Sequence, residues 1–110
     1  MEYFSKCDFL KNLAGLYLNN NNISDEGMKY FSKCDFLKNL TYLRLSYNSI
    51  SDNGIKYFSK CCFLKKLTYL NLSNNKNTQE IQECMKNTLT NFPKLSKLND
   101  VEFNSNWQIF

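Results

Sequence analysis

The chain has 110 residues, 43% of them hydrophobic and 22% charged, with a formal net charge of +4. That length holds one domain, and no apolar run approaches the roughly 18 residues needed to cross a membrane. There is no histidine and an odd count of five cysteines, so the commonest general base and zinc ligand is missing, and the thiols fit a reducing compartment better than a disulfide framework.

Read from the start, Met1-Glu2-Tyr3-Phe4 lacks the basic start and apolar run of a secretory signal. It opens a segment that returns downstream. Tyr3-Phe4-Ser5-Lys6-Cys7 recurs as Tyr30-Phe31-Ser32-Lys33-Cys34 and as Tyr57-Phe58-Ser59-Lys60-Cys61, a period of 27 residues. Met1 aligns with Met28, so the chain is expected to begin inside a helix.

A short strand follows. Leu16-Tyr17-Leu18 superposes on Leu43-Arg44-Leu45 and on Leu70-Asn71-Leu72. The alternation within each triplet predicts a half-buried strand, leucines inward and the residues between them outward. Asn21, Asn48, Asn75 and Asn106 each stand three residues after the second apolar residue of a strand. Their amides can bond backbone groups where the chain turns away, forming an asparagine ladder.

Helices come next. Asn21-x-Ile23-Ser24-Asp25-x-Gly27 recurs as Asn48-x-Ile50-Ser51-Asp52-x-Gly54. Ser51 or Asp52 suits an N-cap, and an acid there favours the positive end of the helix dipole. Met28, Phe31 and Cys34, then Ile55, Phe58 and Cys61 or Cys62, mark the apolar stripe. Gly27 and Gly54 in the first turn let each helix pack closely. Cys7, Cys34 and Cys61 fall one period apart and are read as stacked core thiols.

The third unit departs from the pattern. Asn77 and Glu80 form a capping box ahead of Ile81, Cys84, Met85 and Leu89, and Pro93 ends what precedes it. The leucine motif returns as Leu95-x-x-Leu98-x-x-Val101-x-Phe103-x-x-Asn106, and Val101 follows Leu70 by 31 residues, an insertion of four.

Strand, asparagine corner, Ile-Ser-Asp-x-Gly helix start and period together resemble the leucine-rich repeat family. The ribonuclease inhibitor-like subclass is the nearest in pattern, and the Cys before Phe-Leu is also similar to the cysteine-containing repeats of F-box proteins. The resemblance implies an α/β leucine-rich repeat solenoid, a horseshoe segment with parallel strands on the concave face and helices on the convex face. Residues 1–110 form a single domain of about three and a half repeats with an irregular last unit, either complete or a section of a longer array. The resemblance also implies protein binding through the concave face, and it transfers no catalytic residue.

Strand alternation predicts which side chains that face presents. Gly15, Tyr42, Tyr69 and Asp100 make one ladder, Tyr17, Arg44, Asn71 and Glu102 a second, and Asn19, Ser46, Ser73 and Asn104 a third, with Tyr47 just past its strand between Asn20 and Asn74. Tyr and Arg are frequent interface anchors. Tyr17, Tyr42, Arg44, Tyr47, Tyr69, Asn71, Asp100 and Glu102 are therefore the candidate partner-binding residues, for an extended or helical peptide with one apolar anchor and charges of both signs. The chain carries no Gly-rich phosphate loop and no Ser or Cys beside a base. Asp100 and Glu102 read as an acidic spot rather than a catalytic pair. No enzyme activity, cofactor, metal, membrane or nucleic-acid partner is expected, and the cytoplasm is the expected location. The rival reading is self-association through raw ends, with Tyr3 and Phe4 at one and Trp107, Ile109 and Phe110 at the other.

Overall fold

A computed structural model describes residues 1–76, 80, 91–95 and 101–102. Four short strands, β1 (Gly15–Tyr17), β2 (Tyr42–Arg44), β3 (Tyr69–Asn71) and β4 (Val101–Glu102), form one parallel sheet in chain order. Among the described residues, helices α1 (Asp25–Phe31) and α2 (Asp52–Ser59) run between the first three strands. The register follows the repeat: Gly15 pairs with Tyr42 and Tyr42 with Tyr69, while Leu16, Leu43, Leu70 and Val101 form one row. The insertion is absorbed between β3 and β4 without shifting that row. The chain is an α/β leucine-rich repeat fold, and its sheet is open.

The strands are three residues long because the chain bends away soon after each leucine pair, but main-chain bonding continues past them. Thr41 N donates to Ala14 O at 2.8 Å, Leu45 N to Asn71 O at 2.8 Å, and Tyr47 N to Ser73 O at 3.0 Å. Behind the sheet, Leu43, Leu45, Leu70 and Leu72 are fully buried with Ile50, Ile55 and Met28. Leu16 and Leu18, turned inward by the same alternation, are only half-buried. The reason is local: each inward leucine is covered by the coils on its two sides, and only one described coil lies against β1. Phe31 and Phe58 back the leucines with ring centroids 6.1 Å apart, and Phe92 continues the stack 5.3 Å from Phe58.

Asparagines join the coils as the sequence predicts. The Asn48 carboxamide oxygen accepts from Asn21 N and Ile23 N, both at 2.9 Å, while its amide nitrogen donates to the Leu18 and Leu45 carbonyls at 3.0 Å and to Ser46 O at 3.2 Å. Asn75 repeats the arrangement one coil on, accepting from Ile50 N at 3.0 Å and donating to Leu45 O at 2.9 Å. These bonds satisfy corner groups that burial would otherwise leave unpaired. Asn106 lies outside the described residues.

The helix starts differ from one another. Ser24 caps α1, its hydroxyl accepting from Gly27 N at 3.4 Å. Ser51 is the N-cap residue of α2 yet makes no side-chain cap bond to its own helix. Its hydroxyl and amide both donate to the Asp25 carboxylate, the amide at 2.7 Å. Asp25 thus ties α1 to the start of α2. Gly54 makes room for it: a Cβ there would sit 2.6 Å from Asp25 Oδ1 and 2.7 Å from Ile50 Cγ2. At the other end of α2, Asn91 Nδ2 donates to Ser59 O at 3.0 Å, satisfying a terminal carbonyl.

The opening residues form a 3-10 turn, Phe4–Lys6, rather than part of an α-helix. Its N-cap residue, Tyr3, makes no side-chain cap bond, and the turn closes through i to i+3 bonds, Lys6 N donating to Tyr3 O at 3.2 Å and Cys7 N to Phe4 O at 2.9 Å. Further 3-10 turns, Asp8–Leu10 and Asp35–Leu37, follow Cys7 and Cys34. Cys34 and Cys61 are buried and Cys7 half-buried. Burial, reinforced by nearby charge, pushes the Cys34 thiol up to about 11 and the Cys61 thiol up to about 12. Both stay protonated and unreactive near neutral pH, as stacked core pieces should. Cys62 is exposed. Of the capping box and stripe read in the third unit, Glu80 is helical and exposed, while Asn77, Ile81, Cys84, Met85 and Leu89 lie outside the described residues.

Candidate functional site

The outward positions of the strands converge on a row of tyrosines. Tyr42 and Tyr69 stand on paired residues of β2 and β3, and their rings stack 4.3 Å apart at 7°. Gly15 occupies the equivalent place on β1 and offers no side chain. The Tyr17 ring leans over that gap, 5.0 Å from the Tyr42 centroid at 22°. An ideal Cβ on Gly15 would lie 3.4 Å from Tyr17 Cε1. Tyr17 is 61% exposed, so the shelf has three rings and an open outer end. Stacking of this kind adds about 0.5–1.5 kcal/mol per pair beyond area burial. The alternation rule predicts the Tyr42–Tyr69 pair but assigns Tyr17 to the other column; a glycine opposite two tyrosines is the signal that a neighbouring ring will fill the place.

Arg44 lies along this shelf. Its Nη2 donates to the Tyr42 hydroxyl at 2.8 Å, and its guanidinium carbon sits 5.9 Å from the Tyr17 centroid and 5.8 Å from that of Tyr42. Hydrogen bonding with Tyr69, and then the field of Tyr42 and Tyr69, raises its pKa further above the usual arginine value against the opposing effect of desolvation. Arg44 is a fixed cation at any physiological pH. Its Nε is buried without a hydrogen-bond acceptor among the described residues.

Asn71 follows Arg44 in the second ladder and is 7% exposed. Its side-chain oxygen accepts from Ser73 N at 2.9 Å and Ser73 Oγ at 2.6 Å, and its amide donates to the Tyr69 hydroxyl at 3.3 Å. Asn71 therefore braces Tyr69 and turns Ser73, and offers little surface of its own. Glu102 pairs with Asn71 on β4; Asp100 and Asn104 lie outside the described residues.

Tyr47 sits past β2, 58% exposed, with a left-handed φ of 56°. Asn20 and Asn74, its equivalents in the flanking coils, adopt φ of 61° and 58°. Asparagine tolerates this region through local side-chain bonding, whereas a bulky ring does so at a cost.

Away from the sheet, Asp8, Phe9, Lys11, Asp35, Phe36 and Lys38 line a shallow depression between the first two coils, with Phe9 75% exposed. The 27-residue spacing of Phe9, Phe36 and Phe63 is the sequence signal for this second row.

Two family models match the chain. One, described as Leucine Rich repeat, matches residues 11–32 and 36–59, and another, described as Leucine Rich Repeat, matches residues 66–88. Together they cover more than half of the sequence, and the matched segments contain β1 to β3, α1 and α2. The chain belongs to the leucine-rich repeat family. Leucine-rich repeats generally mediate protein–protein interaction, and the family is typically non-enzymatic. Tyr17, Tyr42, Arg44, Tyr47, Tyr69 and Asn71 of this leucine-rich repeat protein all fall within matched segments, while Asp100 and Glu102 do not. No curated protein and no solved structure matches the chain. Among the described residues no helix is long and apolar enough to cross a membrane.

Proposed function

We propose that the protein is a non-enzymatic interaction module, a single repeat domain over residues 1–110 that binds a protein or peptide through the concave strand face in the cytoplasm. The observation that carries this reading is the three-ring tyrosine shelf with Arg44 laid across it. Rigid aromatic surface with polar tips gives much contact area for little lost rotamer freedom. Tyr17, Tyr42, Arg44, Tyr47 and Tyr69 would make the contacts, Asn71 would hold Tyr69 in place, and Asp100 and Glu102 would add an acidic flank. The period of 27 and the α-helices between strands support a ribonuclease inhibitor-like repeat, and the recurring Cys-Asp-Phe-Leu supports kinship with the F-box type.

The test is direct. Partners are captured from a lysate of the source on the immobilised chain, and affinity is then measured for the parent and for Tyr42→Ser with Tyr69→Ser. Neither ring enters the leucine core, so the double variant should still fold cooperatively, with Tm lowered by the two stacked pairs it loses. It should bind at least about tenfold more weakly, or roughly 1.4 kcal/mol. A variant that folds and binds like the parent places the site elsewhere.

A second reading, self-association through the ends, draws on the first coil. Tyr3 and Phe9 are 85% and 75% exposed there, and Leu16 and Leu18 are incompletely covered. Light scattering across a dilution series tests it, and a strict monomer at all concentrations rejects it.

A further inference from the structure

Arg44 is the sole arginine of the chain, and on the described concave strand positions it is the sole cation. Among the described residues it is bonded to no carboxylate: its partners are the Tyr42 and Tyr69 phenols, and its buried Nε has no acceptor there. Because the Tyr42 oxygen accepts from Arg44 at 2.8 Å, the Tyr42 hydroxyl keeps its own hydrogen for donation. The polar groups near it are spent internally, with Ser73 Oγ donating to Asn71 Oδ1 at 2.6 Å and Asn71 Nδ2 to the Tyr69 hydroxyl at 3.3 Å. What remains is a donor array, guanidinium N–H groups beside a phenolic O–H, carrying one positive charge.

A donor array takes an acceptor. A carboxylate matches in both charge and shape, since its two oxygens and single negative charge fit one planar guanidinium. A dianionic phosphate is usually held by a cluster of arginines, and here there is one. Stacking and the phenolic bond already fix the guanidinium, so a ligand would lose less in ordering it. The overall charge of +4 draws acidic partners by long-range attraction. Arg44 stands on β2, between β1 and β3, in the interior of the sheet. A segment lying across the face passes it mid-course, so the carboxylate comes from a side chain rather than from a chain end.

We propose that Arg44 on its tyrosine shelf is the receptor for an Asp or Glu side chain, and that the partner is an acidic peptide segment. This rests on the concave face being the binding face, and adds the chemistry of the ligand.

A single arginine makes the test clean, because the Nε–H group of Arg44 is one resolvable NMR signal. Labelled full-length protein is titrated with three probes, all acetylated and amidated: hexaglutamate, hexaglutamine and a hexapeptide bearing one phosphoserine. Hexaglutamate should shift the Arg44 Nε–H signal and the Tyr42 and Tyr69 ring signals along one saturable curve, weakening as salt rises. Hexaglutamine should leave the Nε–H signal in place. Arg44→Gln, followed by the tyrosine ring signals, should bind hexaglutamate at least about tenfold more weakly. Should Arg44→Gln fail to fold, the contrast between hexaglutamate and hexaglutamine on the parent decides alone.

Ring signals that move while Nε–H does not would overturn the carboxylate receptor and leave the concave face standing as the site. No response of either to hexaglutamate, or lysine signals moving as far as Arg44, would also overturn it. Tighter binding of the phosphoserine peptide would reassign the cation to phosphate. The proposed function itself is judged by the double tyrosine variant and its captured partner, so the two failures are told apart.

Discussion

Leu18 and Leu45 occupy the same repeat position one coil apart, yet Leu45 is fully buried and Leu18 half-buried. The same contrast holds for their corner asparagines. Asn48 is buried and bonds across two coils, while the described bond of the exposed Asn21 side chain runs to Asn19 O at 2.9 Å, within its own turn. Near-identical sequence thus acquires different weight from its neighbours, as expected where stability is a sum of coil-to-coil interfaces. In this fold a repeat motif specifies geometry, and the coil on either side decides what the geometry is worth.

The largest expected effect breaks that contrast in the core. Leu45→Ala should cost about 3–5 kcal/mol, since the leucine is enclosed and the cavity is flanked by coils that cannot collapse independently. Leu18→Ala should cost about 1–2 kcal/mol, because its site is already partly open to water. A domain of this size has about 5–15 kcal/mol in total, so Leu45→Ala approaches failure to fold. Urea unfolding of both variants decides it, and equal losses would mean that the coils bury their leucines alike.

Next in size are the corners. Asn48→Ala removes an acceptor from Asn21 N and Ile23 N and a donor from three carbonyls. Buried groups left without partners cost about 1–3 kcal/mol each where water cannot reach; here the turn is partly open, and a total near 2–4 kcal/mol is expected. Asn21→Ala should cost below about 0.5 kcal/mol. Amide exchange sharpens the comparison, because Ile23 N–H should lose protection in Asn48→Ala and keep it in Asn21→Ala. Uniform loss of protection through the chain would instead mean global destabilisation.

Most of this was legible before any coordinate. Period 27 placed the strands and the Asn48 and Asn75 bonds, and the 31-residue interval correctly set Leu70 against Val101. These features repeat, and repetition is visible in a string of letters. The features that sequence periodicity does not carry occur once, through contacts between coils. Asp25 reaches the Ser51 start of the next helix, Phe92 extends the Phe31–Phe58 stack, and Tyr17 crosses to fill the space above Gly15. The Arg44 site is of the same kind. Alternation shows that Arg44 faces outward, but its bond to Tyr42 depends on side-chain directions that no periodicity carries.

The smallest expected effect has the opposite sign. Asn20, Tyr47 and Asn74 share one left-handed backbone conformation in successive coils, with φ between 56° and 61°. The amides of the first two bond alike to the following coil, Asn20 N donating to Ser46 O at 3.1 Å and Tyr47 N to Ser73 O at 3.0 Å. The backbone requirement is therefore common, and the middle coil alone meets it with a ring. A left-handed residue other than glycine costs about 1–2 kcal/mol, less for asparagine. Tyr47→Asn, which copies both neighbours, should stabilise the fold by about 0.5–1 kcal/mol and raise Tm by a few degrees. A strained, exposed tyrosine just past β2 is the arrangement expected where a side chain serves contact rather than folding. The same variant should accordingly bind a captured partner more weakly while melting higher. If Tyr47→Asn lowers Tm, the ring contributes to packing by more than its backbone strain costs, and Tyr47 belongs with the core rather than with the binding face.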